Sequence, residues 1–103
     1  MQIRAIQQEI DVWVRANGGY WSELSLLARL SEEVGEVARA YNTRFGGKRV
    51  KAGEGLREIE DELADVLWIV LCMANQQGID LEVAMGRVME KVRARGAAPA
   101  ATA

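Results

Sequence analysis

Residues 56–77 place the tightest limit on what this chain can fold into. Leu56, Ile59, Leu63, Val66, Val70 and Met73 recur at helical spacing without a break. From Val66 to Ala74 the same segment, "VLWIVLCMA", is apolar on every side, with Leu67, Trp68, Ile69 and Leu71 filling the remaining faces. A helix that is apolar all round is buried all round. Nine apolar residues cannot cross a bilayer, which takes about 20. The cover must therefore come from protein. Three other short helices of a 103-residue chain are too few to supply it, so a second copy is expected to complete the bundle, as a dimer or tetramer.

Those other helices are delimited by glycine. Residues 1–16 carry Ile3, Ile6, Ile10, Trp13 and Val14 in helical register, and "NGG" at 17–19 stops them. A second helix over about 22–44 has the stripe Leu26, Leu27, Leu30, Val34, Val37 and Tyr41, and Gly46–Gly47 close it. The polar loop "GGKRVKAGEG" leads to the third helix, which stops at Gly78. Asp80 is positioned to cap a fourth helix over about 81–95, with Leu81, Val83, Ala84, Val88 and Val92 inward. There is no two-residue alternation and no repeat. The expectation is an all-α, four-helix chain with an antiparallel central hairpin: one domain over residues 1–95 and a disordered tail over 96–103.

Composition narrows the chemistry. The net charge is -2, which makes no electrostatic case for nucleic acid or an anionic membrane. The one cysteine, Cys72, lies in the apolar run and reads as a buried thiol in a reducing compartment. No basic-then-apolar leader opens the chain, so a soluble, cytoplasmic protein is expected. Histidine is absent. Imidazole bases and Glu-x-x-His di-metal sites are thereby excluded. Chemistry must run on carboxylates, amines, guanidiniums, hydroxyls or an oxygen-held metal.

Carboxylates are concentrated in two places: "LSEEVGEV" (30–37) and "EIEDELADV" (58–66). At 100° per residue Glu33 and Glu36 share one flank of the second helix, while Glu32 points towards the opposite border. Glu62 and Asp65 likewise share one flank of the third helix. Glu36 lies about 13 Å from the connecting loop and Glu62 about 10 Å. In an antiparallel hairpin the two pairs come level. The cost is repulsion, already present within the third helix at Glu58–Glu62 and Asp61–Asp65 and larger where the dielectric falls. A divalent cation with a preference for carboxylate oxygen, Mg²⁺ or Mn²⁺, would relieve it. The structural alternative is a solvated face with Arg29–Glu33 and Arg57–Asp61 ion pairs.

"EEVGEV" (32–37) followed by "DELADVL" (61–67) resembles the EExxE and ExxD signature of the MazG-like nucleotide pyrophosphohydrolases, in the all-α NTP pyrophosphatase superfamily. The flanking "LARLSEEVGEVARAYN" and "DVLWIVLCMANQQGIDLEVA" are similar in texture, and the likeness extends over roughly residues 2–95. The resemblance implies a Mg²⁺-dependent hydrolase that cuts a (d)NTP between the α and β phosphates, with house-cleaning of non-standard nucleotides as a family role. It implies metal ligands at Glu33, Glu36, Glu62 and Asp65. It makes Glu32 the residue that positions or deprotonates the attacking water, with support from outside the ligand set as the alternative. It also implies a homodimer or homotetramer.

Phosphoryl transfer also needs cations on the phosphates and a flat wall for the base. Lys48 and Lys51 on the loop, and Lys91 and Arg95 at the end of the fourth helix, are the expected phosphate ligands. Trp13, Tyr20, Trp21 and Phe45 are the candidates for the base wall; Trp21, after the glycine turn, is the one expected to serve, whereas Trp13 reads rather as core and Trp68 as core or interface. The rival functions are a non-catalytic four-helix oligomerisation module and a nucleotide-binding regulator without turnover.

Overall fold

The structure is a computed structural model that describes residues 2–47 and 55–96. These residues form four α-helices: α1 (Ile3–Ala16), α2 (Glu23–Phe45), α3 (Leu56–Gln76) and α4 (Leu81–Ala94). The all-α expectation holds, and the helix limits agree with the glycine punctuation to within a residue or two. The expected tail beyond Gly96 lies outside the described residues, as do Lys48 and Lys51 of the α2–α3 connection.

Local chemistry sets the helix ends. The Ser22 hydroxyl accepts from Ser25 N and starts α2. The Asp80 carboxylate accepts from Glu82 N and Val83 N and starts α4. Each such cap satisfies amides that have no partner within the helix. Gly55 opens α3 at φ 88° without a side-chain cap. A Cβ there would lie 3.0 Å from Arg44 Cβ. Glycine is thus required twice over at this point, by its left-handed backbone and by the close approach of the end of α2.

The dominant packing is α2 against α3; α1 then packs on α3 and α4 on α1. Leu26, Glu33 and Ala40, spaced by seven, are the buried residues of α2, with Leu30 and Val37 half-buried between them. Seven-residue spacing is the seam of two helices lying nearly along each other. This rotates the seam from the stripe expected for α2. Leu27, Val34 and Tyr41 of that stripe stay outside and are about half exposed. Leu56, Leu63 and Leu67 of α3 are exposed in the same way. The small core gathers Ile10 and Val14 of α1, Leu26 of α2, and Leu71 and Cys72 of α3.

The expected inner side of α4 requires correction. Leu81 and Ala84 are half-buried, but Val83, Val88 and Val92 are 41–50% exposed, and α4 has no buried residue. The reason is where the helix is held. Arg4 bonds Asp80 and Glu82, and the Leu81 amide donates to Gln7 Oε1 at 2.9 Å. All these ties grip the first turn, and from Met85 onward every described residue of α4 is exposed. The Cα radius of gyration is 16.6 Å, against about 13 Å for a compact chain of this length. No side chain among the described residues is fully enclosed.

Candidate metal centre and nucleotide cleft

The α2–α3 pairing brings carboxylates together at the predicted height. Ligand oxygens of Glu33, Glu62 and Asp65 lie within 4.8 Å of one another. Glu33 is the buried member at 7% exposure; Glu62 is half-buried and Asp65 exposed. The Glu62 carboxyl is pushed above its ordinary range, first by desolvation and then by Asp65, Glu36 and Glu33. Proximity of like charges is the repulsion that a bound cation relieves. The donor set is carboxylate only and open to water on one side, which fits a hard divalent ion that keeps part of its hydration.

Glu36, the fourth expected ligand, is close enough to influence Glu62 but is turned to Arg39, one turn along α2, with which it forms an ion pair. It lines the neighbouring cleft with Arg39, Glu58 and Glu62. Glu32 points outward, its side chain 68% exposed, and meets Arg29 Nη1 at 3.3 Å. The same Arg29 holds Glu33 through Nε at 2.9 Å. One guanidinium thus links the outward glutamate to the cradle.

Beside the cradle is a cavity of about 330 Å³ lined by Trp21, Arg29, Glu33, Asp65, Trp68 and Ile69. A second cavity, of about 220 Å³, shares Trp21, Trp68 and Ile69 with it and adds Trp13, Tyr20 and Cys72. Trp21 and Trp68 therefore border both cavities, and Trp13 borders the second. Trp13 and Trp68 meet edge to face at 5.9 Å. Trp13 and Trp21 are each 57% exposed. Cys72 is buried at the floor, and burial pushes its thiol up, so it is an inert apolar contact.

Trp21, the expected base wall, lines both cavities. Trp13 and Trp68, read from the sequence as core or interface, line cavities as well. Periodicity could not reveal this, because the position depends on α1 crossing α3. The cations differ too. Arg29 and Arg39 border the acidic clefts; Arg29, four residues before Glu33, was legible only as an ordinary helix pair. Lys91 and Arg95 are exposed near the end of α4 and line none of these clefts.

Known proteins bear on this arrangement. The sequence profile of the MazG nucleotide pyrophosphohydrolase domain matches residues 21–98. The uncharacterized protein YpjD of Bacillus subtilis (strain 168) is 44% identical over 94 residues, which is 90% of this chain and 85% of YpjD. The crystal structure of a Bacillus-conserved MazG protein, a nucleotide pyrophosphohydrolase, superposes with a TM-score of 0.76 at 41% identity, covering 88% of both chains. The crystal structure of B. subtilis YpjD, a candidate pyrophosphatase, superposes with a TM-score of 0.79 at 43% identity, covering 88% of this chain and 94% of that one. With a profile match over most of the chain, the same four-helix architecture and the acidic cradle at the α2–α3 seam, this protein belongs to the MazG nucleotide pyrophosphohydrolase family of divalent-metal-dependent hydrolases that act on nucleotide phosphoanhydride bonds.

Proposed function

We propose that this chain is a Mg²⁺-dependent (d)NTP pyrophosphohydrolase, with Mn²⁺ as a workable substitute, whose products are the nucleoside monophosphate and pyrophosphate. The observation that carries the reading is the shared wall of Trp21, Trp68 and Ile69 between the tryptophan cavity and the cavity bordered by Glu33 and Asp65. A base stacked on indole would leave its own phosphates beside carboxylates able to hold metal. Neither half alone points to a nucleotide; their adjacency supports one.

In this reading Glu33, Glu62 and Asp65 would hold the ion, with Glu36, now paired with Arg39, as a fourth ligand. The ion supplies charge neutralisation on the phosphates and polarisation of water. Water oxygen bonds to the α-phosphorus, the bond from that phosphorus to the α,β-bridging oxygen breaks, and pyrophosphate departs with the electron pair. Glu32, 68% exposed on its side chain and paired with Arg29, would have to turn towards the cradle to position the water or take its proton; support from outside the ligand set is the alternative. Arg29 stands in the same cleft as a cation for the phosphates. Lys48 and Lys51 would approach from the α2–α3 connection, and Lys91 and Arg95 would act from a second copy.

The second copy has a physical motive. Leu27, Val34 and Tyr41 on α2, and Leu56, Leu63 and Leu67 on α3, are exposed, and at about 100° per residue they fall on the flank away from the acids. With the open inner face of α4 they form more uncovered apolar surface than a monomer normally shows. A homodimer or homotetramer would cover it. No described helix is long and apolar enough to cross a membrane, and we place the enzyme in the cytoplasm, clearing non-standard nucleotides.

The test of substrate is a panel of standard and base-modified dNTPs with Mg²⁺. A house-cleaning enzyme turns over some modified members faster than their parents. Equal rates across the panel would remove that role and leave a general pyrophosphohydrolase; binding without turnover would leave a regulator.

A further inference from the structure

Trp21 is carried by a six-residue connection, 17–22, that is bonded to its surroundings in an unusual way. Gly18 and Gly19 follow α1 at φ 104° and 84°. Two successive left-handed residues turn the chain back on itself, which a residue with a Cβ resists. The turn lays Tyr20 along α1, with the Arg15 guanidinium 5.7 Å from its ring centre. The Tyr20 hydroxyl donates to Asp11 Oδ1 at 2.6 Å and accepts from Asn75 Nδ2 at 3.0 Å. Asn75 is fixed in turn. Its Nδ2 also donates to Gln7 O at 2.9 Å, and its Oδ1 accepts from Gln7 Nε2 at 2.9 Å. Gln7 is itself 6% exposed and bonded to Ile79 O and Leu81 N. The next residue along, Gln76, donates from Nε2 to the Trp21 carbonyl at 2.5 Å.

We propose that Tyr20 is a positioning residue for Trp21: the Asp11–Tyr20–Asn75 chain, with Gln76, sets the indole wall at which the base stacks. The inference rests on the reading of the tryptophan cavity as a nucleobase pocket. The Trp21 indole has no hydrogen-bond partner among the described residues and is more than half exposed. Its placement therefore depends on the backbone on either side. On one side Tyr20 is tied to α1 and α3 by its hydroxyl; on the Trp21 carbonyl Gln76 adds a second tie to α3. Both ties reach the C-terminal end of the helix that contributes Trp68, Glu62 and Asp65. The latch thus fixes the two indoles of the shared wall relative to one another. Holding a stacking surface in place before the ligand arrives reduces the ordering cost of binding.

The test compares Tyr20→Phe, Trp21→Ala and the double variant in steady-state hydrolysis and in binding of inorganic tripolyphosphate, which has phosphates but no base. Tyr20→Phe keeps the ring and loses only the hydroxyl. It is expected to raise KM about tenfold, within the range by which base stacking affects affinity, with kcat within about twofold and tripolyphosphate affinity unchanged. In the Trp21→Ala background the same change is expected to add nothing, because the hydroxyl acts through the indole. Should Tyr20→Phe fold poorly, Gln76→Ala replaces it with the same expectation. The latch is overturned if Trp21→Ala raises KM but Tyr20→Phe and Gln76→Ala do not. Full additivity in the double variant, or an equal loss of tripolyphosphate affinity, also overturns it. If Trp21→Ala itself leaves KM unchanged, or the wild type turns over no nucleotide, the underlying pocket reading has failed instead.

Discussion

Arg29 Nε donates to Glu33 at 2.9 Å, one turn apart on α2. Glu33 is the buried carboxylate of the cradle, its side chain 9% exposed, and Arg29 is the guanidinium that neutralises it. The pair joins structure to function: the cation that satisfies the acid also borders the cleft where phosphates are proposed to lie.

Arg29→Gln removes the charged partner of a buried carboxylate. Loss of a charge-assisted hydrogen bond is expected to cost about 1–3 kcal/mol. Thermal unfolding in EDTA should show the loss, and saturating Mg²⁺ should recover much of it, since an ion bound only by the folded state stabilises it by roughly 2.7 kcal/mol at a hundred times Kd. Phosphate-chain affinity should fall as well, measured with tripolyphosphate.

In the proposed mechanism the carboxylates divide by role. Asp65→Asn should abolish the Mg²⁺-induced rise in Tm and lower kcat by at least about 10²–10³-fold. In EDTA it should unfold no earlier than wild type, because it removes a like charge beside Glu62. Glu32→Gln should also lower kcat but leave the Mg²⁺ shift in Tm intact. Calorimetric Mg²⁺ titration of both variants separates the two outcomes.

The convergence of Glu33, Glu62 and Asp65 was partly legible in the residues alone. The three-residue spacing of Glu62 and Asp65, and their height against Glu33 across one hairpin, are helix arithmetic, and the convergence followed. Glu36 has the same spacing, yet Arg39 three residues on competes for it, and no count of periodicity ranks such rivals. Trp13 and Trp68 looked like core because each sits in an apolar stripe. Whether a stripe is core or cleft depends on which helix crosses it. The open face of α4 was missed for the same reason: its valines are in register, but its ties are confined to the first turn.

The uncovered apolar flank makes a prediction about assembly. Leu67, 53% exposed on α3, should be buried by the second copy. Leu67→Glu is expected to give a smaller species in sedimentation velocity with its helix content retained. An unchanged sedimentation coefficient would place the interface elsewhere.

Tyr20 predicts an alkaline limit. Burial first, and then the bond to Asp11, push its hydroxyl from an ordinary 10.0 up to about 12. Between those values the unfolded chain releases this proton and the folded chain does not, so its contribution is intact below pH 10 and is lost as pH rises towards 12. Asn75, Arg15 and Cys72 also face or surround the ring, and burial raises the Cys72 thiol above its ordinary 9.0. The Tm advantage of wild type over Tyr20→Phe should therefore shrink from pH 9 to pH 12. Asp11 has the opposite sense. Tyr20 and Arg15 hold its carboxyl below the ordinary 3.8, so its contribution is present above that value and fades as pH falls further.

The central claim is that the α2–α3 carboxylates hold a divalent ion that supports cleavage between the α and β phosphates. Phosphorus NMR of a dNTP incubated with the protein tests it most directly. The account predicts equal monophosphate and pyrophosphate with Mg²⁺, and no turnover in EDTA or with Asp65→Asn. Release of single orthophosphate, turnover that survives EDTA, or no turnover at all would contradict it.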